Sequence, residues 1–297
     1  MSGKSQKPIE NIELDPACHV LKFLSTISYN TESILYTINL LPDTNVIYAC
    51  KKIFLDRIPE NQRNRIIDLE SNLRSVRRLI HPHIIKCYRV FSINNSVYFV
   101  MEYCPLGSMY DLLNKIDTPF LIKSTRLWFG QILGAVNYIH SRGLAHRNIT
   151  LTSILQISSE RMILSGFTHC CLAYKRDIDI MRTTVFRENL QYQAPEMHPL
   201  CSQIWPYDAK STDMYSMGVV LFQMVNRDPP FDVSVYNTNP VTYINNQRNR
   251  EYTYKSAFSA FINSKFKHLI WLLLEPKPGV RITSSTALVH EALLPED

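Results

Sequence analysis

Hydrophobic and polar positions along this chain follow two regimes. Up to about residue 102, short apolar runs alternate with polar residues in the way half-buried strands require. Leu21-Lys22-Phe23-Leu24 and Ser33-Ile34-Leu35-Tyr36 predict two strands. Val46–Phe54 predicts a third, entered through the turn Leu41-Pro42-Asp43-Thr44-Asn45. Residues 60–80 predict a helix, because Ile66, Leu69, Leu73, Val76 and Leu79 recur at steps of three and four. Pro82, following His81, ends it. Two more strands are predicted near 84–92 and 96–102, joined by Asn94-Asn95, a residue pair suited to a tight hairpin.

From residue 105 the period becomes helical. Phe129, Ile132, Leu133, Val136 and Ile139 mark one long amphipathic helix that ends near Gly143. Short strands are predicted around 153–157 and 161–165, and a long irregular segment over 166–196. Residues 213–226 are almost continuously apolar, the pattern of a buried helix. The polar stretch 228–260 predicts loops and one short helix, and helices near 265–275 and 284–293 follow. The order implies an α+β chain: an N-terminal extension over 1–19, a small antiparallel-sheet lobe with one helix over 20–103, and a larger, mainly helical lobe over 104–293.

Composition narrows the functions. A chain of 297 residues, 45% hydrophobic and 20% charged, can bury a sizeable core. No apolar run approaches the length of a membrane span, and the first residues hold no apolar signal core, so no membrane partner is expected. The seven cysteines form no C-x-x-C pair and read as free thiols of a reducing compartment, which places the chain in the cytoplasm with the nucleus left open. A metal site at His169-Cys170-Cys171 lacks a second ligand pair. The net charge of +6 is scattered, with short clusters at 57–65 and 74–78, and no basic stripe with interleaved aromatics points to nucleic acid. Glycine is scarce: the chain has eight, and none lies between Gly3 and Gly107. A phosphate-cradling loop that needs glycine for close backbone approach is therefore excluded from the first third.

Several motifs stand in order. Ala49-Cys50-Lys51 lies in the third strand, and Val100-Met101-Glu102-Tyr103-Cys104 closes the small lobe. His146-Arg147-Asn148 is followed by Ser153 and then by Gly166-Phe167-Thr168. Ala194-Pro195-Glu196, Asp213-Met214-Tyr215-Ser216-Met217-Gly218 and Arg281 complete the set. Each alone is weak. Together, at their spacing and over about residues 20–293, they resemble the protein kinase superfamily. His-Pro-His-Ile-Ile-Lys-Cys-Tyr and Met-Val-Asn-Arg-Asp-Pro-Pro-Phe resemble its calmodulin-dependent-kinase-like group, and within it the testis-specific serine kinases.

The resemblance implies a bilobal kinase-like fold and assigns roles that this chain departs from. Asn148 stands where the catalytic aspartate belongs, and Thr150 where a lysine contacts the transferred phosphate. Ser153 and Gly166 replace the two metal-binding residues. Ser28, Asn30 and Ser33 occupy the glycine positions of the phosphate loop. Asn72 stands where the partner glutamate of Lys51 belongs, with Glu70 about 200° round the helix. Ala49, Lys51, Met101 (the gatekeeper position), Glu102, Cys104 and Leu155 are the residues of a vestigial nucleotide cleft, and with the loop glycines and the partner glutamate gone Lys51 reads as a surface or pocket-lining lysine ahead of a nucleotide-binding one. His146 and Phe167 read as core packing, Asp213 as an acceptor for the backbone of the 146–148 loop, and Glu196 with Arg281 as a structural ion pair. Thr183 and Thr184 lie where kinases are phosphorylated, and a phosphate there could pair with Arg147; the alternative is an unmodified loop.

Phosphoryl transfer is mainly positioning and charge stabilisation, and magnesium needs carboxylates. The expectation is a pseudokinase that acts by protein–protein interaction, as scaffold or allosteric regulator, on an active kinase or its substrate. No cofactor is expected, ATP without magnesium being the ligand the cleft could still take. The alternative is a weakly active, atypical ATP-dependent serine/threonine kinase, in which Glu70, Asp177 or Asp179 would have to replace the missing acids.

Overall fold

The computed structural model describes residues 12–13, 20–58, 74–172, 187–198 and 207–295. The chain divides into two compact units, Met1–Arg78 with Ile85–Cys104, and Leu79–Ile84 with Pro105–Asp297.

The first unit is built on one antiparallel sheet. Its strands are β1 Ile12–Glu13, β2 Val20–Tyr29, β3 Ser33–Leu40, β4 Asp43–Phe54, β5 Cys87–Ile93 and β6 Ser96–Glu102, in the order β1-β2-β3-β4-β6-β5. The first two strands predicted from sequence run longer than their apolar runs, because polar Thr26, Ser28 and Thr37 pair in the ladder as readily as their neighbours. β1 lies within the expected extension and has no apolar run of its own; Ile12 and Glu13 pair with Leu21 and Val20. Asn94 and Asn95 both take positive φ (47° and 57°), the left-handed pair of a two-residue hairpin. Leu21, Phe23, Ile38, Cys50, Tyr98 and Val100 make the buried core of the sheet. Burial pushes the Cys50 thiol up to about 12, so it behaves as a small hydrophobe. Of the predicted 60–80 helix, residues 74–80 lie within the described residues: 74–77 are helical, and the helix has ended before Leu79.

The second unit is mainly helical. Its helices are α1 Met109–Asn114, α2 Ile122–Ser141, α3 Ala209–Asn226, α4 Val233–Thr238, α5 Pro240–Asn249, α6 Ser256–Ser259, α7 Ser264–Leu273 and α8 Ser284–Leu288. α2 carries the predicted apolar face through Phe129, Ile132, Leu133, Val136 and Ile139. α3 begins four residues earlier than its apolar run, capped by Asp208, whose side chain accepts from the backbone of Lys210. Every residue of α3 except Lys210 is buried. Gly218 on α3 lets α7 approach closely, since a Cβ there would come within 2.8 Å of the Leu273 Cβ. The 228–260 stretch holds three helices where one was expected. Two of them carry start signals: Asp232 caps α4, and Asn239 caps α5 with Pro240 in its first turn.

Four short strands, β7 Leu144–Ala145, β8 Ile154–Ser158, β9 Arg161–Leu164 and β10 Cys171–Leu172, frame the loop that follows α2. β8 pairs with β9 as a hairpin, and β7 pairs with β10. Segment 79–84 belongs to this unit. The backbone N–H of Leu164 donates to the carbonyl of His83, and Arg161 donates to the carbonyl of Pro82. Among the described residues no helix is long and apolar enough to cross a membrane.

Candidate catalytic site

Asp213, one turn inside α3, organises the 146–148 loop. The backbone N–H of His146 donates to its Oδ2 and that of Arg147 to its Oδ1, both at 2.7 Å. His140, at the buried end of α2, donates from Nε2 to the same Oδ2 at 2.9 Å. The carboxylate is 1% exposed, and these three donors replace the hydration it loses. The bonds also hold Arg147 at φ 64°, a left-handed conformation that a residue with a Cβ seldom adopts.

His146 links this loop to the 165–167 turn. Its ring accepts from the backbone N–H of Asn148 through Nδ1 at 3.2 Å, and donates from Nε2 to the carbonyl of Ser165 at 2.8 Å. Both nitrogens are thereby committed to the neutral imidazole. Burial holds its pKa below the ordinary histidine value, against the opposing pull of the Asp213 charge. Phe167 packs edge-on against the ring at 4.6 Å. His146 and Phe167 are thus wholly buried and engaged with protein.

Arg147 reaches Tyr207, donating from its Nη2 to the hydroxyl at 3.2 Å. Burial disfavours its charge, but Tyr207 and Cys171 beside it raise its pKa above the ordinary value, so the guanidinium stays charged.

The remaining polar atoms of the loop serve one another. Ser153 Oγ accepts from the backbone N–H of Thr150 and donates to the Thr150 carbonyl, both at 2.9 Å. Thr150 Oγ1 accepts from the backbone N–H of Ser153 at 3.1 Å and lies 2.8 Å from the Thr152 hydroxyl. Asn148 Oδ1 accepts from Asn189 Nδ2 at 2.7 Å. Gly166 takes φ +84°, and a Cβ there would meet Ser153 Cβ at 3.1 Å, so an aspartate at this position would be both strained and crowded.

Kinase folds imply ATP with magnesium, and the fit can be tested on these side chains. Magnesium takes oxygen donors in tight octahedral geometry and relies on carboxylates. Gly166 presents no side chain, and the Ser153 hydroxyl is already engaged on both sides. The Asn148 carbonyl oxygen is turned to Asn189. This donor set does not fit magnesium.

The predicted residues of a nucleotide cleft fall in both units. In the first, Ala49 pairs with Thr37 and Met101, Lys51 with Leu35 and Phe99, and Glu102 with Tyr48, while Cys104 follows the end of β6. In the second, Leu155 pairs with Ile163 in the β8–β9 hairpin and bridges to Ser108. The three positions of the expected phosphate loop are a plain β-hairpin. Ser28 pairs with Leu35, and Asn30 Oδ1 accepts from the N–H groups of Glu32 and Ser33 and from the Ser33 hydroxyl. The asparagine side chain thus occupies backbone N–H groups that a phosphate-cradling loop would leave open. Asn72, Glu70, Asp177, Asp179, Thr183 and Thr184 lie outside the described residues.

Glu196 and Arg281 form a two-pronged pair. Nη1 donates to Oε1 at 2.7 Å and Nη2 to Oε2 at 3.1 Å. Arg281 also donates to the carbonyls of Ser211 and Glu275, which pins the turn after Ala194 to α3 and to the segment following α7.

Sequence reasoning missed Asn189, His140 and Tyr207. His140 carried a signal, since it continues the apolar face of α2 four residues after Val136. Asn189 and Tyr207 carried none, being single polar residues in or beyond an irregular segment.

Comparison with known proteins supplies the wider frame. CBL-interacting protein kinase 3 of Oryza sativa subsp. japonica is 29% identical over 231 residues, which covers 76% of this chain and 48% of that protein. The serine/threonine-protein kinase kin-29 of Caenorhabditis elegans is 28% identical over 231 residues, 77% of this chain and 26% of that protein. A probable myosin light chain kinase of Dictyostelium discoideum is 28% identical over 240 residues, 81% of this chain and 47% of that protein. This chain thus spans about half or less of the length of these relatives. The protein kinase domain family matches residues 38–293. Together with an antiparallel-sheet unit followed by a helical one, that match means that the chain belongs to the protein kinase domain family.

Proposed function

We propose that this chain is a catalytically inactive kinase domain that works by binding another protein, as a scaffold or allosteric regulator of an active kinase or of its substrate. One observation carries the reading: where a kinase places a general base and two metal ligands, this chain places Asn148, Ser153 and Gly166. An amide cannot accept the substrate proton at neutral pH, and loss of a general base alone costs about 10²–10⁴-fold in rate. The hydrogen bonds from Asn189 to Asn148 and from Ser153 to Thr150 commit the remaining polar atoms to the fold. That the rice relative is named for an interaction with another protein supports a partner-binding role. Free thiols at Cys50, Cys87, Cys104, Cys170 and Cys171 favour a cytoplasmic setting. The sequences at 81–88 and 224–231 favour the calmodulin-dependent-kinase-like group.

A second reading, an atypical active serine/threonine kinase, draws on the relatives' names and on the retained Lys51. One experiment separates the two. Thermal stability is measured against ATP with and without magnesium, for wild type and Lys51→Met, beside transfer of labelled phosphate to a generic protein substrate. Inactivity requires no magnesium-dependent stabilisation and no transfer above the Lys51→Met background. Stabilisation that needs both magnesium and Lys51, with transfer, would establish the active reading instead.

A further inference from the structure

We propose that Arg74, Arg77 and Arg78 form a docking surface for an acidic segment of a partner protein. This gives a place and a chemistry to the partner binding argued above and rests on that part of the reading, not on the loss of phosphate transfer.

The basic cluster at 74–78 becomes one face in the structure. Residues 74–77 are helical, and the backbone N–H of Arg78 donates to the carbonyl of Ser75 at 3.1 Å, so the winding reaches Arg78. At about 100° per residue, the three arginines lie about 100–200° round the axis from Val76. Val76 is buried and all three arginines are exposed. They border one half-open hollow of about 340 Å³, and among the described residues nothing else lines it. That volume reaches the lower end of ligand sites, about 300–1,000 Å³. Arg77 and Arg78 form no ion pair among the described residues. Like charges three and four residues apart on a helix repel one another. The carbonyl end of the helix offsets part of that repulsion, but it does not gather three guanidiniums around one open space. Arg77 is also near enough to Cys87 for its charge to oppose the rise in that thiol's pKa caused by burial. Exposed Lys86 stands next to Cys87, so the positive surface continues to the start of β5.

A guanidinium grips a carboxylate through two parallel N–H donors. Carboxylates three and four positions apart on a helical segment repeat at about 5–6 Å, the spacing of the arginines themselves. Nucleic acid fits less well, because among the described residues no aromatic ring lines the hollow for a base to stack on.

The full chain, without nucleotide, is titrated by fluorescence anisotropy with a labelled alanine-based peptide carrying glutamates at i, i+3 and i+4, and with its glutamine counterpart. The glutamate peptide is expected to bind at least about tenfold more tightly, and to weaken as salt rises from about 0.05 to about 0.5 M. Arg77→Glu combined with Arg78→Glu should weaken binding at least about tenfold. Both side chains are exposed, so the variant keeps its fold, which an unchanged melting temperature verifies. Arg77→Gln with Arg78→Gln, which adds no new charge, should weaken binding in the same direction. Lys123→Glu with Lys277→Glu makes the same change in net charge at exposed positions of the second unit, and should alter binding less than about threefold. Equal affinity for the two peptides, no binding of the glutamate peptide, binding indifferent to salt, or equal weakening by the two charge-reversed pairs would each overturn the proposal. So would a DNA duplex that binds more tightly than the peptide and loses affinity in the Arg77→Glu, Arg78→Glu variant, which would give the surface to nucleic acid. None of these readouts uses ATP, so phosphate transfer by the wild type would sink the inactive reading and leave this result standing.

Discussion

Asn148 and Asn189 face each other through their side-chain amides, Nδ2 of Asn189 donating to Oδ1 of Asn148 at 2.7 Å across forty-one positions of sequence. The contact joins the loop that would hold a catalytic base to the 3₁₀ segment Arg187–Tyr192. It is a neutral bond that an aspartate in place of Asn148 could also accept. Replacing Asn148 by Asp therefore leaves the local fold intact and restores one acid. It leaves Ser153, Gly166 and Thr150 as they are. Catalytic groups that act as a unit return almost nothing when one is restored alone. The Asn148→Asp variant should transfer labelled phosphate from ATP no faster than Lys51→Met, and a rate about tenfold above that control would contradict the inactive reading.

Asp213 is satisfied by three donors. An asparagine in its place would keep one oxygen but turn an amide N–H₂ toward donors that need an acceptor. A buried group left unsatisfied costs about 1–3 kcal/mol, more where a charge was involved. Asp213→Asn should therefore lower unfolding free energy by about 2–3 kcal/mol in urea titration. It should also release the left-handed Arg147 backbone, seen as faster hydrogen exchange at Arg147 N–H. Wild-type exchange at that amide would show that other contacts hold the loop.

Arg281 is fully buried at its guanidinium and grips both oxygens of Glu196. Removing one partner leaves the other charged and without its match. Arg281→Met should destabilise by about 3–5 kcal/mol, while Arg281→Met combined with Glu196→Met should recover much of the loss. A double variant as unstable as the single one would assign the loss to the carbonyl contacts with Ser211 and Glu275 instead.

The limits of the sequence show in the same residues. Asp213 and the Glu196–Arg281 pair are legible because fixed spacings in a known pattern carry them. Asn94-Asn95 is legible because its turn chemistry is local. Asn30 is legible only as a missing glycine. That its side chain gathers three donors from Glu32 and Ser33 depends on the hairpin geometry, which composition does not encode. The three helices between 233 and 259 are hidden by polar faces, although Asp232 and Asn239-Pro240 mark two of their starts. The Asn148–Asn189 bond has no signal, since nothing local relates two asparagines so far apart.

The last prediction concerns acid. His198 is fully buried, donates from Nε2 to Gln247 Oε1 at 2.9 Å, and packs against Tyr236 and Tyr243. Burial pushes its pKa down to about 4, and the nearby Arg248 charge acts in the same direction, against the Gln247 bond. His146 is held down in the same sense. The neutral ring is thus the form the fold accepts. Above the ordinary histidine pKa of about 6.5 both folded and unfolded chains are neutral there, and stability is independent of this group. As pH falls below that value the unfolded chain takes up a proton that the folded chain refuses until about 4, so stability is lost through that window. For His198 alone the loss is about 2 kcal/mol at pH 5. Urea unfolding at pH 7 and pH 5 should show it. His198→Gln, which keeps a donor toward Gln247 but cannot titrate, should flatten the dependence whatever it does to stability at pH 7. An unchanged slope in that variant would move the acid sensitivity to His146 or to the carboxylates.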